Sequence, residues 1–219
     1  MDGDSPHEST GDLSTQFPGD FPEYREPERL SSRSLLWMSL WFEGGVAVLA
    51  CLLAWLFGVD LPGSIKGSGA GWVAGLVWAG PLFGLFLVTY GLPWRLFREI
   101  RQFLEQTLGP ALGEASHGTI LLIALLAGGC EELLFRGVLH PLVGGIAASV
   151  LFGLVHAVTP VYAVLAALFG AVFSWQLVVT GDLVAPMVTH ALYDWGAFLV
   201  LRRQWRRRRG ATGSGEPTL

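Results

Sequence analysis

The chain has 219 residues, of which 52% are hydrophobic and 15% charged, and its formal net charge is −4. Its mean hydropathy of +0.49 excludes an ordinary soluble domain. The small negative charge hides an acidic N-terminal part and an Arg-rich C-terminal part, so it implies no nucleic-acid partner.

Residues 1–33 repeat Asp, Glu, Pro, Ser and Gly with few large apolar side chains. Such a stretch buries too little to offset its ordering entropy, and it reads as a disordered acidic tail. It is not a cleavable signal peptide, so the first apolar segment is expected to stay as an anchor. A bilayer core about 30 Å thick needs roughly 20 apolar residues per helix, and six candidate spans meet or approach that length: 35–57, 71–92, 118–138, 142–159, 161–180 and 183–201. Between the second and third, residues 93–117 begin with Leu, Phe and Ile alternating with Arg and Glu at helical spacing, the pattern of an amphipathic surface helix. Residues 202–219 read as a basic and then flexible tail. The expected fold is all-α, a polytopic transmembrane helical bundle. Two N-terminal helices occupy 34–92 and a four-helix core occupies 118–201.

Basic residues set the expected orientation. Arg25, Arg29 and Arg33 precede the first span, Arg95, Arg98 and Arg101 follow the second, and Arg202, Arg203 and Arg206 to Arg209 follow the last. By the positive-inside rule, both termini lie in the cytoplasm and the protein sits in the cell membrane. Trp37, Trp41, Trp72, Trp94 and Trp205 stand near span ends as interface anchors, whereas Trp78 and Trp175 fit no interface. Cys51 and Cys130 form no CxxC pair and read as small buried hydrophobes.

The informative residues are the ionisable ones inside the spans. A charge at mid-bilayer costs about 3 kcal/mol on insertion scales. Here the third span carries Glu131, Glu132 and Arg136, the fourth His156, and the sixth His190 and Asp194. Glu132 and Arg136 are four apart with Glu on the N-terminal side, the favourable order for an ion pair. Glu131 lies about 100° round the helix, free for chemistry. His190 and Asp194 share a face, and Phe152 sits four residues before His156, one turn away. Each pair alone reads as structural: an ion pair, a packed His, a helix-pairing contact. Six such groups in three spans are too costly as glue and point to a site. Glu43, in the first span, has no evident partner and is placed near an interface or in a water-filled space. His7, His117 and His140 receive no role.

At these residues the sequence resembles the CPBP family of intramembrane proteases, also called the CAAX-protease or Abi family. Its marks are EExxxR, FxxxH and HxxxN or HxxxD in that order. They stand here as Glu131-Glu132-Leu-Leu-Phe-Arg136, Phe152-Gly-Leu-Val-His156 and His190-Ala-Leu-Tyr-Asp194, and the likeness covers about 118–201. The resemblance implies a multi-pass endopeptidase acting on a peptide or lipidated membrane protein, with prenylated CaaX proteins among the candidate substrates. It implies that Glu131, assisted by His156, activates the attacking water. His190 and Asp194 stabilise the oxyanion, while Glu132, Arg136 and Phe152 support the site. Asp194 stands where many relatives have Asn, and it donates a hydrogen bond only when protonated. No cofactor is required by this reading. Zn²⁺ stays open, with Glu131, His156 and His190 as its ligands if present, although no HExxH occurs. Two other readings remain: a non-catalytic scaffold or bacteriocin-immunity protein on the same fold, and an ion-coupled transporter, which predicts inverted repeats that are not evident.

Overall fold

The computed structural model describes residues 30–213, with side chains described as far as Gly210. The tail expectations for 1–29 and 214–219 fall outside the described residues. Those described are helical, with no strand among them. The first element, α1 (Ser32–Phe57), starts where the Ser31 hydroxyl accepts from the Ser34 amide at 3.0 Å. It stops at Gly58, whose φ of +67° is the left-handed conformation that ends helices. A single turn, α2 (Leu61–Ser64), leads to α3 (Gly69–Gly91). The amphipathic segment forms α4 (Arg95–Thr107) and α5 (Gly109–Glu114).

The third span is one rod of 27 residues with a change of pitch. Its α-helix, α6 (His117–Glu132), ends on the paired carboxylates, and Leu133–Leu139 are π-helical before α7 (His140–Val143). The His140 amide accordingly donates to the Phe135 carbonyl, five residues back. Next come α8 (Gly145–Val155), α9 (Pro160–Thr180) and α10 (Val184–Gly213).

Among the described residues, five helices are long and apolar enough to cross a membrane, as a multi-pass membrane protein requires. The fourth expected span, 142–159, is occupied by the short apolar helix α8. The helix there has only 11 residues and rises about 16 Å, roughly half the hydrocarbon core. Its start is set by Gly144, whose φ of +86° no other residue adopts readily, and its end by His156. The last helix departs in the other direction, running through the Arg stretch to Gly213 instead of stopping near 201. That stretch is anchored: Arg206 Nε donates to the Gly113 carbonyl at 2.8 Å, and Arg208 pairs with Glu105 at 2.8 Å.

The membrane helices pack around α10, which touches α3, α5, α6 and α9, while α1 closes against α6 and the π-helical turn. One apolar cluster gathers Leu134, Phe135, Val138, Phe152 and Leu183, and a second gathers Leu35, Leu112, Ile120 and Leu201. Buried polar contacts join the helices. The Thr189 hydroxyl on α10 lies 3.1 Å from both the Gly75 carbonyl on α3 and Gln176 Oε1 on α9. At Gly128, α6 approaches α10 so closely that a Cβ would stand 2.6 Å from the Ala191 backbone nitrogen. Trp41, Trp55, Val73, Ile146 and Val178 are exposed on the outer faces, as lipid contact demands. Cys51 is also exposed there and Cys130 is half-buried, so neither is the core residue expected. Trp78 and Trp175 prove to be partners, with ring centroids 5.0 Å apart.

Candidate active site

The six expected residues converge. Glu132 and Arg136, both fully buried, pair at 3.0 Å. The same Glu132 oxygen lies 2.9 Å from His190 Nδ1, so it accepts from a guanidinium on its own helix and an imidazole on α10. The second ring nitrogen of His190, Nε2, lies 3.5 Å from Asp194 Oδ2. A carboxylate oxygen thus faces each ring nitrogen of His190. One turn of α10 brings His190 and Asp194 to the same face, and the Gly128–Ala191 contact sets α6 near enough for Glu132 to reach across.

Glu131 points to the other partner. Its Oε2 stands 3.4 Å from His156 Nε2. The His156 Nδ1–H donates to the Phe152 carbonyl at 2.8 Å, which fixes the tautomer and turns the Nε2 lone pair toward the carboxylate. Phe152 packs on His156 with centroids 4.3 Å apart.

Aromatic rings seal the buried charges. Phe173 stacks on His190 at 5.1 Å. The Arg136 guanidinium lies over the rings of Phe152, at 4.5 Å, and Phe173, at 5.2 Å. These faces compensate Arg136 Nε and Nη2, which have no hydrogen-bond acceptor among the described residues. Gly170 makes room for this arrangement, since a Cβ there would lie 2.7 Å from Arg136 Nη2.

Glu131, His156, His190 and Asp194 all line a cavity of about 330 Å³. Its other walls come from outside the motifs. Glu43 on α1 is buried at 6% exposure and lines the same cavity, with its Oε2 lacking a hydrogen-bond partner. The sequence marked Glu43 as costly but gave it no partner; the structure places it among the site carboxylates. Tyr162, Phe169 and Tyr193 also line the cavity, and nothing in their spacing signals it.

Of the residues named for Zn²⁺, Glu131 and His156 stand 3.4 Å apart, while the ring nitrogens of His190 face Glu132 at 2.9 Å and Asp194 at 3.5 Å. Among the described residues, no three His, Cys, Asp or Glu side chains form a group able to hold an ion.

Away from the site, Asp182 clamps the loop before α10 to the loop before α3. It accepts from the amides of Lys66 at 3.1 Å, Ser68 at 2.7 Å and Val184 at 3.0 Å, and from the Ser68 hydroxyl at 2.7 Å. Burial pushes its carboxyl up, but these hydrogen bonds outweigh burial and hold it below the usual carboxylate range.

No curated protein and no solved structure matches the chain. Residues 114–196 match the family described as Type II CAAX prenyl endopeptidase Rce1-like. That stretch contains all three motifs and every residue of the network just described, and the match supports assigning this region to the CAAX-protease (CPBP) family.

Proposed function

We propose that the protein hydrolyses a peptide bond of a membrane-associated substrate, a prenylated CaaX-type protein being the leading class, with a water activated by Glu131. The carrying observation is the division of the ionisable groups into two sets. Glu132, Arg136, His190 and Asp194 form a closed network of two carboxylates, a guanidinium and an imidazole. Glu131 stands outside it, facing His156 across the cavity wall.

Each set has a task. Water between Glu131 and His156 Nε2 gives its proton to the carboxylate as it attacks the scissile carbonyl, and Glu131 passes that proton to the leaving amine. In this reading His190 is protonated, and its Nε2–H, 3.5 Å from Asp194 Oδ2, is shared with the oxyanion that develops in the cavity. Asp194 does not need to donate in this scheme. It keeps the imidazole protonated and oriented, which suits an Asp at a position where many relatives have Asn. Glu132 does the same from the other nitrogen, and Arg136 holds Glu132. Both termini are cytoplasmic in this reading, so the cavity end beside α4 faces the cytoplasm.

The test is hydrolysis of a farnesylated CaaX peptide by purified protein in detergent or nanodiscs. Glu131→Ala and His156→Ala are expected to abolish turnover while leaving the thermal midpoint near that of the wild type. Cleavage surviving in Glu131→Ala would sink the mechanism. A biological effect that persists in Glu131→Ala, with no cleavage by the wild type, would favour a scaffold.

A further inference from the structure

The last helix carries positive charge that the described residues do not answer. Past the apolar part of α10, Arg202, Arg203, Arg206 and Arg207 recur at spacings of three and four, so they share one helix face, with Leu199 one turn before them. Together with His117, the first residue of α6, these five side chains line one pocket. Arg202 is buried, at 8% exposure, and its Nε has no hydrogen-bond partner. Arg206 uses its Nε on the Gly113 carbonyl. Arg203 and Arg207 are exposed and take no protein acceptor among the described residues. No carboxylate among them lines the pocket.

That arrangement is costly by itself. Like charges four apart, Arg202 with Arg206 and Arg203 with Arg207, repel on a helix, and a buried guanidinium nitrogen without an acceptor adds a desolvation cost. The segment cannot splay to relieve them, because Trp205 packs on α5 so closely that Gly113 has no room for a Cβ, and Arg208 is tied to Glu105 at 2.8 Å. Cations fixed in place without a counter-charge make a preorganised anion site. Its level in the bundle selects the anion. About 20 residues of helix cross the hydrocarbon core, and counted from Val184 that length ends near Arg203. The pocket therefore lies at the depth of lipid phosphates, with the half-buried Leu199 on its membrane side. Guanidinium forks bind phosphate oxygens in pairs, and basic pockets between membrane helices take anionic headgroups. The first turn of α6, at His117, adds the positive end of a helix dipole.

We propose that the pocket formed by Arg202, Arg203, Arg206, Arg207 and His117 binds a phosphate group, supplied by an anionic phospholipid of the adjoining leaflet. The lipid neutralises the arginine face and ties the end of α10 to the start of α6. The site is independent of the peptidase reading and of which membrane face the termini occupy.

The experiment follows the thermal midpoint of the delipidated full chain in neutral detergent as dioleoyl phosphatidylglycerol, dioleoyl phosphatidylcholine or inorganic phosphate is added. Phosphatidylglycerol is expected to raise the midpoint saturably, by about 4 °C or more, and the other two to leave it nearly unchanged. Arg203→Gln combined with Arg207→Gln removes two exposed side chains without protein partners. That protein is expected to keep the lipid-free midpoint and to lose most of the shift. Arg95→Gln combined with Arg98→Gln, on the exposed face of α4, is expected to keep the shift, which separates a site from general attraction to a negative surface. No shift with phosphatidylglycerol, an equal shift with phosphatidylcholine, or equal losses in the two double variants overturns the proposal. A shift from inorganic phosphate as large as that from phosphatidylglycerol overturns the lipid source. Native mass spectra of the wild type need no variant. They are expected to retain one phosphatidylglycerol in competition with phosphatidylcholine, and equal retention of the two lipids overturns the site.

Discussion

The two parts of this molecule that face the cavity are built on different principles. In the matched region, 114–196, charges are paired or placed against aromatic faces, and glycines bring helices into contact: Glu132 with Arg136 and His190, Gly128 against Ala191, Gly170 beneath Arg136. The preceding helices offer the cavity mostly apolar surface, and their acidic and basic contributions among the described residues are two: Glu43 without a hydrogen-bond partner on Oε2 and Arg101 without a carboxylate within ion-pair distance. The chemistry is housed in one part and the enclosure in the other. A closed network holds its geometry whether or not substrate is present, whereas unpaired groups gain their partners only when something enters.

The largest expected effect tests the first half of that contrast. Glu131→Ala removes the proposed base and should lower kcat by about 10³-fold or more, within the range for general-base removal. Circular dichroism and the thermal midpoint should be almost unchanged, because Glu131 belongs to no closed pair. Arg136→Met should behave in the opposite manner. It leaves Glu132 buried with one partner fewer and should destabilise the protein by about 3 kcal/mol, read as a lower thermal midpoint in detergent. If Arg136→Met lost activity with full stability, the network would be a catalytic device and not a frame.

Glu43→Met sharpens the second half. An unpartnered buried carboxylate is costly to fold, so an apolar residue of similar length should stabilise the protein by about 1 kcal/mol. Turnover should fall in the same variant, since Glu43 shares the cavity with Glu131. A stabilised enzyme with full activity would remove Glu43 from the site.

The convergence of these six groups was readable in advance because the bilayer makes charge expensive. Spacings of four identified Glu132–Arg136 and His190–Asp194, and the cost of six ionisable groups required them to meet. The helical class and most span positions followed from apolar length. What was hidden has physical reasons. Hydropathy runs unbroken through 142–159, so no window reveals that the helix covers only Gly145–Val155; Gly144 and the turn at His156 decide that. The Arg run read as a tail because charge was weighed and propensity was not. Arg is a good helix former, and contacts to Gly113 and Glu105 carry α10 onward. Glu43 was visible as a cost, but the groups with which it shares the cavity lie on other helices at no fixed spacing. The Trp78–Trp175 pair has the same character.

The smallest expected effect lies at the opposite end of the bundle, where neither part of the contrast applies. Asp182 joins the two halves directly, accepting from Lys66 and Ser68 before α3 and from Val184 at the start of α10. Its carboxyl is held below the usual range in the folded state, while in the unfolded chain it titrates near the ordinary value of about 3.9. The unfolded state therefore takes up its proton first as pH falls. The stabilisation is fully present above about pH 4 and is lost as pH drops through the folded value. Asp182→Ala should cost about 1 kcal/mol at pH 7, the worth of a helix cap, and the gap between variant and wild type should close on acidification. Thermal midpoints of both proteins from pH 7 to pH 3 give the answer. A gap that persists at pH 3 would assign the stabilisation to packing of the loops, and the ionised clamp would not be what holds the two halves in register.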